Sequence, residues 1–215
     1  MKFIKVLRPW QWAKNILILI PALLNKPFSL HNIENAFLSF ALFSIFVSGN
    51  YILNDISDIE NDKAHPKKKF RPIANGSIDI KTAKIYSIIL IFLSSSSFYY
   101  FFDFAVLYLL IYLVFSILYT NFLKFNFIVN SFSISFFFLI RLFLGGFITG
   151  IQISFFLSAY IFFTSFFIAV MKKNSILNTK GIENNRYFNI VLKENSVLQI
   201  SSLSLISLFL SNVAL

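Results

Sequence analysis

Residues 35–76 read NAFLSFALFSIFVSGNYILNDISDIENDKAHPKKKFRPIANG, an apolar block that runs directly into a crowded charged segment. The block, which ends at Asn54, contains no Asp, Glu, Lys or Arg. As an α-helix it is long enough to cross a hydrocarbon core of roughly 30 Å. Acidic and then basic side chains follow as far as Arg71. This order predicts a membrane-spanning helix whose end carries a concentrated charged site at one membrane face.

The rest of the chain repeats the pattern of long apolar blocks. Of its 215 residues, 57% are hydrophobic and 13% are charged, whereas soluble domains carry about 25% charged residues. The predicted fold class is therefore all-α, a polytopic transmembrane helical bundle of about seven helices. The candidate spans are residues 11–25, 35–54, 83–102, 104–121, 126–147, 151–171 and 196–213. Cysteine is absent, which excludes disulfides and thiol chemistry.

The positively charged residues fall in the N-terminal segment and in alternate connections between the spans. Short loops rich in Lys and Arg stay in the cytoplasm. The pattern therefore predicts an integral, multi-pass protein of the inner (cytoplasmic) membrane, with its N-terminus and its charged loops on the cytoplasmic side. The net charge of +10 is explained by this orientation. We expect the lipid bilayer as the partner of this surface, and no nucleic acid.

Three acids follow the second span at helical spacing. Asp55, Asp58 and Asp62 stand at i, i+3 and i+7, so on one continuous helix they fall within roughly 60° of arc. Three like charges on one face repel each other and call for a cation. Oxygen ligands of this kind, with Asn54 beside them, suit Mg²⁺, which takes one or two carboxylates and accepts phosphate oxygens from a substrate. The alternative is a solvated helix end whose acids pair with neighbouring lysines.

A basic segment follows the acids. Residues 67–69 are lysines and Arg71 comes soon after, between Pro66 and Pro72, which keep the turn non-helical. A diphosphate carries more negative charge than one Mg²⁺ neutralises, and Lys and Arg supply the rest, Arg through paired hydrogen bonds. A loop that only sets membrane orientation would explain these cations, but not their interleaving with acids. The pattern predicts a magnesium-assisted site for a phosphorylated substrate.

These residues belong to a longer pattern, and shorter motifs accompany it. The long pattern is Asn54-Asp55-x-x-Asp58-x-x-x-Asp62 followed by His65-Pro66-x-Lys68-x-x-Arg71-Pro72-Ile73-Ala74. The shorter motifs are Arg8-Pro9-x-Gln11-Trp12-x-Lys14-Asn15, Tyr119 with Leu123-Lys124, and Arg141. Together they resemble the UbiA-type intramembrane prenyltransferase superfamily, typified by 4-hydroxybenzoate polyprenyltransferase. Within it they resemble the decaprenyl-phosphate phosphoribosyltransferase branch.

The resemblance implies a fold of about nine transmembrane helices around a central cavity. Here a single domain would cover residues 1–215, with residues 54–82 as its cytoplasmic Asp-rich and basic active-site loop. The chain ends soon after the last candidate span. We therefore expect the C-terminal helices of the family to be missing.

The resemblance also implies a Mg²⁺-dependent transferase. In this branch, the phosphate of polyprenyl (decaprenyl) phosphate attacks C1 of 5-phosphoribosyl diphosphate and expels pyrophosphate. The residues implied for catalysis and for holding Mg²⁺ are Asp55, Asp58 and Asp62, with Asn54 as a further ligand. Those implied to bind substrate phosphates are Lys14, Lys68, Arg71, Arg141, Lys172 and Lys173. Asn15, Tyr119 and Lys124 would line the same cavity.

One feature favours this branch over prenyl transfer to an acceptor. Prenyltransferases of the superfamily use a second Asp-rich cluster, but after Asp79 this chain has no acids except Asp103, Glu183 and Glu194. Lys172 and Lys173 stand in the corresponding connection and suit a substrate with a separate phosphate. Arg141 lies inside an apolar helix, where a charge is expensive and normally faces a cavity or a partner. The alternative is that the Arg141 side chain extends to the lipid headgroups.

Two other functions stay open. One is a polyprenyltransferase that attaches a prenyl group to an aromatic acceptor. The other is a degenerate, non-catalytic membrane relative. The latter is favoured by Asn130 and Ile176, which stand where the phosphoribosyltransferase branch has acidic residues.

Overall fold

The computed structural model describes residues 2–24 and 26–177, and these are helical apart from short connections. The α-helices are α1 (Lys2–Leu7), α2 (Ile20–Leu24), α3 (Leu30–Ser57), α4 (Ile59–Lys63), α5 (Ile80–Phe102), α6 (Val106–Asn121), α7 (Phe127–Thr149) and α8 (Phe155–Leu177). A 3₁₀ helix, Pro9–Ile18, stands between α1 and α2. No strand occurs in these two ranges, so the all-α prediction is confirmed. The predicted span at 196–213 lies outside them.

Long apolar helices confirm a multi-pass membrane protein. Within the described residues, four stretches are long and apolar enough to cross a bilayer: Leu30–Ser57, Ile80–Asn121, Phe127–Thr149 and Phe155–Lys172. The second, 42 residues long, exceeds what one crossing of roughly 30 Å needs. It is interrupted at Asp103, whose φ of 45° and ψ of −114° end α5. The two spans predicted there correspond to α5 and α6.

The first predicted span, residues 11–25, is not a regular transmembrane α-helix. The 3₁₀ helix ends at Ile18, and α2 begins after Leu19. Pro21 explains the interruption, because proline has no N–H to donate and its ring clashes with the preceding turn of a continuous α-helix. It is tolerated in the first turn of a new helix, which is where it lies in α2.

The chain divides into two compact units. Among the described residues, the first contains those up to Ser116 together with Arg141–Gln152, and the second contains Ile117–Ile140 and those from Ile153 to Leu177. The sequence predicts one domain over residues 1–215, and that stays a prediction.

Helix α3 forms the centre of the first unit. It packs against α5, where Ser87 donates a hydrogen bond to the Gly49 carbonyl at 2.8 Å. On another side it receives the 3₁₀ helix. Trp12 Nε1 donates to Ser48 Oγ at 3.0 Å, and Asn15 Nδ2 donates to Ser44 Oγ at 2.9 Å. Two small hydroxyl side chains one turn apart thus fix the 3₁₀ helix to α3.

The charged segment after α3 is folded back onto the first unit. Ile73 and Ile78 are buried in a cluster with Ile52 of α3, Val6 of α1 and Ala83 of α5. Their burial holds both ends of the turn that contains Gly76, whose φ is +73°. The residues just before Ile73 are thereby brought back toward the end of α3.

The second unit is built from aromatic contacts between α7 and α8. Phe132 packs against Phe162 and Phe166, with ring centroids 5.6 and 4.9 Å apart. Tyr119 of α6 makes an edge-on contact with Phe137 at 5.7 Å.

Candidate active site

One guanidinium group joins the first and third acids of the predicted cluster. Arg71 Nη1 donates to Asp55 Oδ1 at 3.0 Å and to Asp62 Oδ2 at 2.5 Å. Both carboxylates are buried, whereas the Arg71 side chain is 26% exposed. Buried carboxylates require a cation or hydrogen-bond donors, and a guanidinium supplies both.

Arg8 is the second partner of Asp55, and its Nη2 donates to Asp55 Oδ1. The backbone of Arg8 is left-handed, with φ 52° and ψ 58°, which costs about 1–2 kcal/mol for a residue other than glycine. The strained turn comes between α1 and the 3₁₀ helix. Arg8 also lies over the Tyr51 ring, with its guanidinium carbon 5.5 Å from the ring centroid.

The acids do not lie on one uninterrupted helix. Helix α3 ends at Ser57 and α4 begins at Ile59, with Asp58 between them at φ −95° and ψ 7°. Helical hydrogen bonds nevertheless continue, from Asp58 N to Asn54 O and from Asp62 N to Asp58 O, at 3.0 and 2.8 Å. Asp55 and Asp62 therefore still face the same guanidinium. The continuous-helix expectation is wrong at Asp58, but the predicted proximity of these two acids is confirmed.

Lys68 adds a third cation. Its Nζ lies 3.9 Å from Asp62 Oδ1, and its side chain is half-exposed. Partial burial, followed by the charge of Arg71, lowers the pKa of Lys68, while Asp62 and Asp58 act in the opposite sense. Lys68 thus stands beside another positive charge, and a bound anion would reduce the repulsion between the two.

His65 shapes the turn that carries Lys68. Its Nδ1 accepts hydrogen bonds from the backbone N–H groups of Lys67 and Lys68, at 3.1 and 3.2 Å. Burial, followed by the charge of Lys68, lowers the pKa of His65. His65 therefore acts as a hydrogen-bond acceptor in this structure.

A second polar group lies deeper in the first unit. Arg141 is 2% exposed, which excludes a side chain that reaches the headgroups. Its Nε donates to Asn15 Oδ1 at 2.8 Å, and its Nη2 donates to Tyr112 Oη at 3.1 Å. The guanidinium also lies over the rings of Phe43 and Tyr112. The prediction that Arg141 faces inward is confirmed, and a role in phosphate binding stays a prediction.

The other predicted site residues are distributed as follows. Lys14 is exposed on the 3₁₀ helix of the first unit. Tyr119, Lys124 and the exposed Lys172 belong to the second unit, as does Lys173, whose side chain is not among those described. The site roles of these five residues stay predictions.

Asn130, where an acid was expected from the resemblance, has a local structural role. Its Nδ2 donates to the Lys124 carbonyl at 2.9 Å, which ties α7 to the turn before it. An ionised carboxylate at this position would present only acceptors to that carbonyl.

Sequence reasoning left Arg8 and Tyr112 out of the site. Arg8 stands in the Arg8-Pro9-x-Gln11-Trp12 motif that carries part of the resemblance, and its place in that motif was the available signal. Tyr112 has no local signal, because tyrosine in an apolar span is typical of ordinary core packing.

The acidic pair fits Mg²⁺. Asp62 Oδ1 is buried and has no hydrogen-bond partner in the described part of the chain. Residues 2–24 and 26–177 hold no group of three His, Cys, Asp or Glu side chains that would make a complete metal cage. Mg²⁺ uses one or two carboxylates and keeps positions for water and phosphate oxygens, so a pair of acids can hold it. Asp55 and Asp62 are the two carboxylates that the structure brings together for it, and the metal-binding roles of Asp58 and Asn54 stay predictions.

A family model described as the UbiA prenyltransferase family matches residues 16–213. The chain belongs to the UbiA prenyltransferase family. A solved structure with a similar fold is that of a UbiA homolog from Archaeoglobus fulgidus bound to GPP and Mg²⁺. The TM-score is 0.76 and the identity 17%, over 100% of this chain and 77% of that one.

Similar UbiA-family sequences include decaprenyl-phosphate phosphoribosyltransferases. The Mycobacterium tuberculosis protein is 31% identical over 180 residues, which are 81% of this chain and 60% of that protein. The Corynebacterium glutamicum protein is 39% identical over 94 residues, or 42% of this chain and 28% of the relative. The chain therefore spans less than two thirds of the length of these relatives.

Proposed function

We propose that this UbiA-family chain transfers a 5-phosphoribosyl group from phosphoribosyl diphosphate to a polyprenyl phosphate, with release of pyrophosphate. The observation that carries the proposal is the cluster of Asp55, Asp62, Arg8, Arg71 and Lys68 at the end of α3. The similarity to phosphoribosyltransferases supports the choice of donor. The pairing of acids and cations suits a diphosphate group that is expelled with negative charge.

In the proposed reaction, an oxygen of the lipid phosphate forms a bond to C1 of the ribose. The bond from C1 to the diphosphate oxygen breaks, and its electron pair leaves with pyrophosphate. Bound Mg²⁺ would supply positive charge against this departing group. The carboxylates of Asp55, Asp58 and Asp62 would anchor that charge, with Asn54 as a further oxygen ligand.

The cations would bind the phosphate oxygens directly. Arg71 offers two or more parallel N–H donors, and Lys68 offers a mobile ammonium group beside it. Both are partly exposed, so both are open to a ligand that approaches from the aqueous side of the turn. These donors strengthen their interaction as charge builds on the leaving oxygen, which is how such sites lower a barrier.

We place this cluster on the cytoplasmic side of the inner membrane. The support is the distribution of lysines and arginines, which are concentrated in the N-terminal segment and in the loop after α3. Because the chain has no cysteine, single-cysteine variants allow a clean test. A membrane-impermeant maleimide added to intact cells should leave Lys69→Cys unlabelled and label Tyr100→Cys, and the reverse pattern would contradict the orientation.

The reaction is tested with purified protein, labelled 5-phosphoribosyl diphosphate, polyprenyl phosphate and Mg²⁺. We expect a lipid-linked phosphoribose that Asp62→Asn lowers by about 100-fold or more, because mutation of one preorganised charge-stabilising group costs on that order. The matched control is Glu60→Gln, which changes an exposed acid on α4 that pairs only with exposed Lys63 in the contacts described. That variant should retain activity.

The outcomes separate the three functions. Product from a prenyl diphosphate and an aromatic acceptor, but not from phosphoribosyl diphosphate, would favour the polyprenyltransferase. No product from either pair, with the protein folded, would favour a non-catalytic relative. Equal activity of Asp62→Asn and the wild type would remove the acidic cluster from the mechanism.

A further inference from the structure

Arg71 occupies the position at which a cation would neutralise both Asp55 and Asp62. The same atom, Nη1, contacts one carboxylate oxygen of each acid, at 3.0 and 2.5 Å. A divalent ion held by these two acids would lie close to this guanidinium, and the two positive charges would repel each other. Metal binding and the position of Arg71 are therefore linked.

The charge balance of the cluster determines whether a divalent ion can bind there without an anion. Three acids, Asp55, Asp58 and Asp62, act together with three cations, Arg8, Lys68 and Arg71. The set is neutral as it stands. A divalent cation alone would leave two uncompensated positive charges in a partly buried site, which is unfavourable at low effective dielectric. A cation that arrives with a diphosphate brings the compensating negative charge.

The guanidinium of Arg71, once displaced, would also gain new hydrogen-bond acceptors. Arg71 is partly exposed, and half-exposed Lys68 stands in the same turn. A diphosphate at this turn offers Arg71 the paired acceptors that it would lose on the carboxylates. Ile73, two residues later, is held in the apolar cluster. We therefore expect the Arg71 side chain to move while its backbone stays in place.

We propose that Arg71 is an exchangeable bridge, which holds the two acids together in the free protein and moves to the diphosphate when metal and diphosphate bind together. Arg71 thereby makes the binding of the two ligands mutually dependent. This rests on the proposed function in so far as that function supplies a diphosphate substrate. The alternative is a fixed structural bridge that metal binding does not displace.

The test measures binding and needs no turnover. Mn²⁺ serves as a spectroscopic substitute for Mg²⁺, and inorganic pyrophosphate represents the leaving group. In the wild type we expect pyrophosphate to tighten Mn²⁺ binding at least tenfold, within the range usual for coupled sites. In Arg71→Gln, Mn²⁺ alone should bind several-fold tighter than in the wild type, and the tightening by pyrophosphate should shrink to less than threefold.

Lys63→Gln is the matched control. It removes one positive charge from the same segment, but Lys63 forms an exposed pair with Glu60 at 2.8 Å and contacts neither bridged acid in the ion pairs described. Its coupling should equal that of the wild type. Wild-type-like Mn²⁺ affinity and coupling in Arg71→Gln would overturn the exchange.

Stability provides a second measurement in case Arg71→Gln folds poorly. Without the guanidinium, two buried carboxylates repel each other, so the variant should melt at a lower temperature than the wild type. Mn²⁺ alone should then raise its melting temperature more than it raises that of the wild type. An equal or smaller rise would identify a fixed structural bridge. Because neither measurement uses an acceptor lipid, a failed transferase assay with intact coupling would refute the reaction and leave the exchange standing.

Discussion

Arg141 Nε donates a hydrogen bond to Asn15 Oδ1 at 2.8 Å, although the two residues are 126 positions apart in the chain. Asn15 is itself held by α3 through Ser44. One buried amide therefore connects the 3₁₀ helix, α3 and α7 in the first unit. A buried polar group stabilises the fold only when its hydrogen bonds are made, so Asn15, Ser44 and Arg141 depend on one another.

We expect Asn15→Ala to destabilise the protein by about 2–3 kcal/mol, because hydrogen bonds to charged groups contribute about 1.5–3 kcal/mol. The change removes an acceptor from Arg141 and a donor from Ser44. Unfolding in detergent with increasing denaturant measures the loss. Asn121→Ala makes the same substitution at an exposed position on α6, where the amide bonds only the Ile117 carbonyl in the contacts described. It should change stability by less than about 0.5 kcal/mol, and similar losses in both variants would contradict the network.

Close backbone approach at Gly145 leads to a second prediction. A Cβ atom there would lie 2.2 Å from the Ile18 carbonyl oxygen and 2.9 Å from its carbon. The obstruction is backbone, so α7 and the end of the 3₁₀ helix would have to separate. We expect Gly145→Ala to lower the free energy of unfolding by about 3 kcal/mol or more, at the upper end of overpacking effects.

Gly49→Ala is the comparison for that measurement. Its Cβ would meet the Ile91 side chain at 2.8 Å and the Ser87 carbonyl oxygen at 3.1 Å. A side chain relaxes more easily than backbone, so the loss should be smaller than for Gly145→Ala. The opposite order of the two stabilities would refute the steric argument.

The sequence predicted those parts of the fold that depend on length and local chemistry. The long apolar block before Asn54 lies in α3, and helical hydrogen bonds continue through Asp58 to Asp62 although α3 itself ends at Ser57. Arg141 was predicted to face inward because charge exposed to lipid is expensive.

The missed features depend on contacts between distant residues. Nothing near Arg8 in the sequence shows that it pairs with Asp55, 47 positions later. Its left-handed backbone is equally hidden, because only glycine and asparagine adopt that conformation often enough to signal it. The predicted span at 11–25 is helical up to Leu24, but it is divided at Leu19 into a 3₁₀ helix and α2 for a local reason, because Pro21 restricts the backbone around it.

A pH effect is expected at the start of α5, which follows the charged segment. The exposed Asp79 side chain accepts a hydrogen bond from the Thr82 N–H at 2.9 Å, and hydrogen bonding with the Thr82 side chain, followed by this backbone hydrogen bond, lowers the pKa of Asp79. Because the pKa is lower in the folded state, the stabilisation is present above the usual Asp value of about 3.9 and is lost as pH falls through the folded value. Asp79→Asn should keep the cap and lose this pH dependence, whereas Asp79→Ala should lose the cap at every pH. Thermal unfolding between pH 3 and 7 distinguishes them, and identical curves for all three proteins would contradict the cap.

The His65 turn provides a test of how the loop positions its cations. His65 Nδ1 accepts from the N–H groups of Lys67 and Lys68, so loss of this acceptor should loosen the turn beside Asp62. We expect His65→Leu to weaken pyrophosphate binding several-fold, and His65→Asn, which restores an acceptor, to recover most of it.

Protonation of His65 removes the same acceptor. Because its pKa is lowered in the folded state, the contribution is complete above about pH 6.5 and is lost as pH falls through the folded value. The melting temperature of the wild type should therefore fall more steeply than that of His65→Asn as pH is lowered below about 6.5. Equal binding by the leucine and asparagine variants would show that the ring nitrogen does not position Lys68.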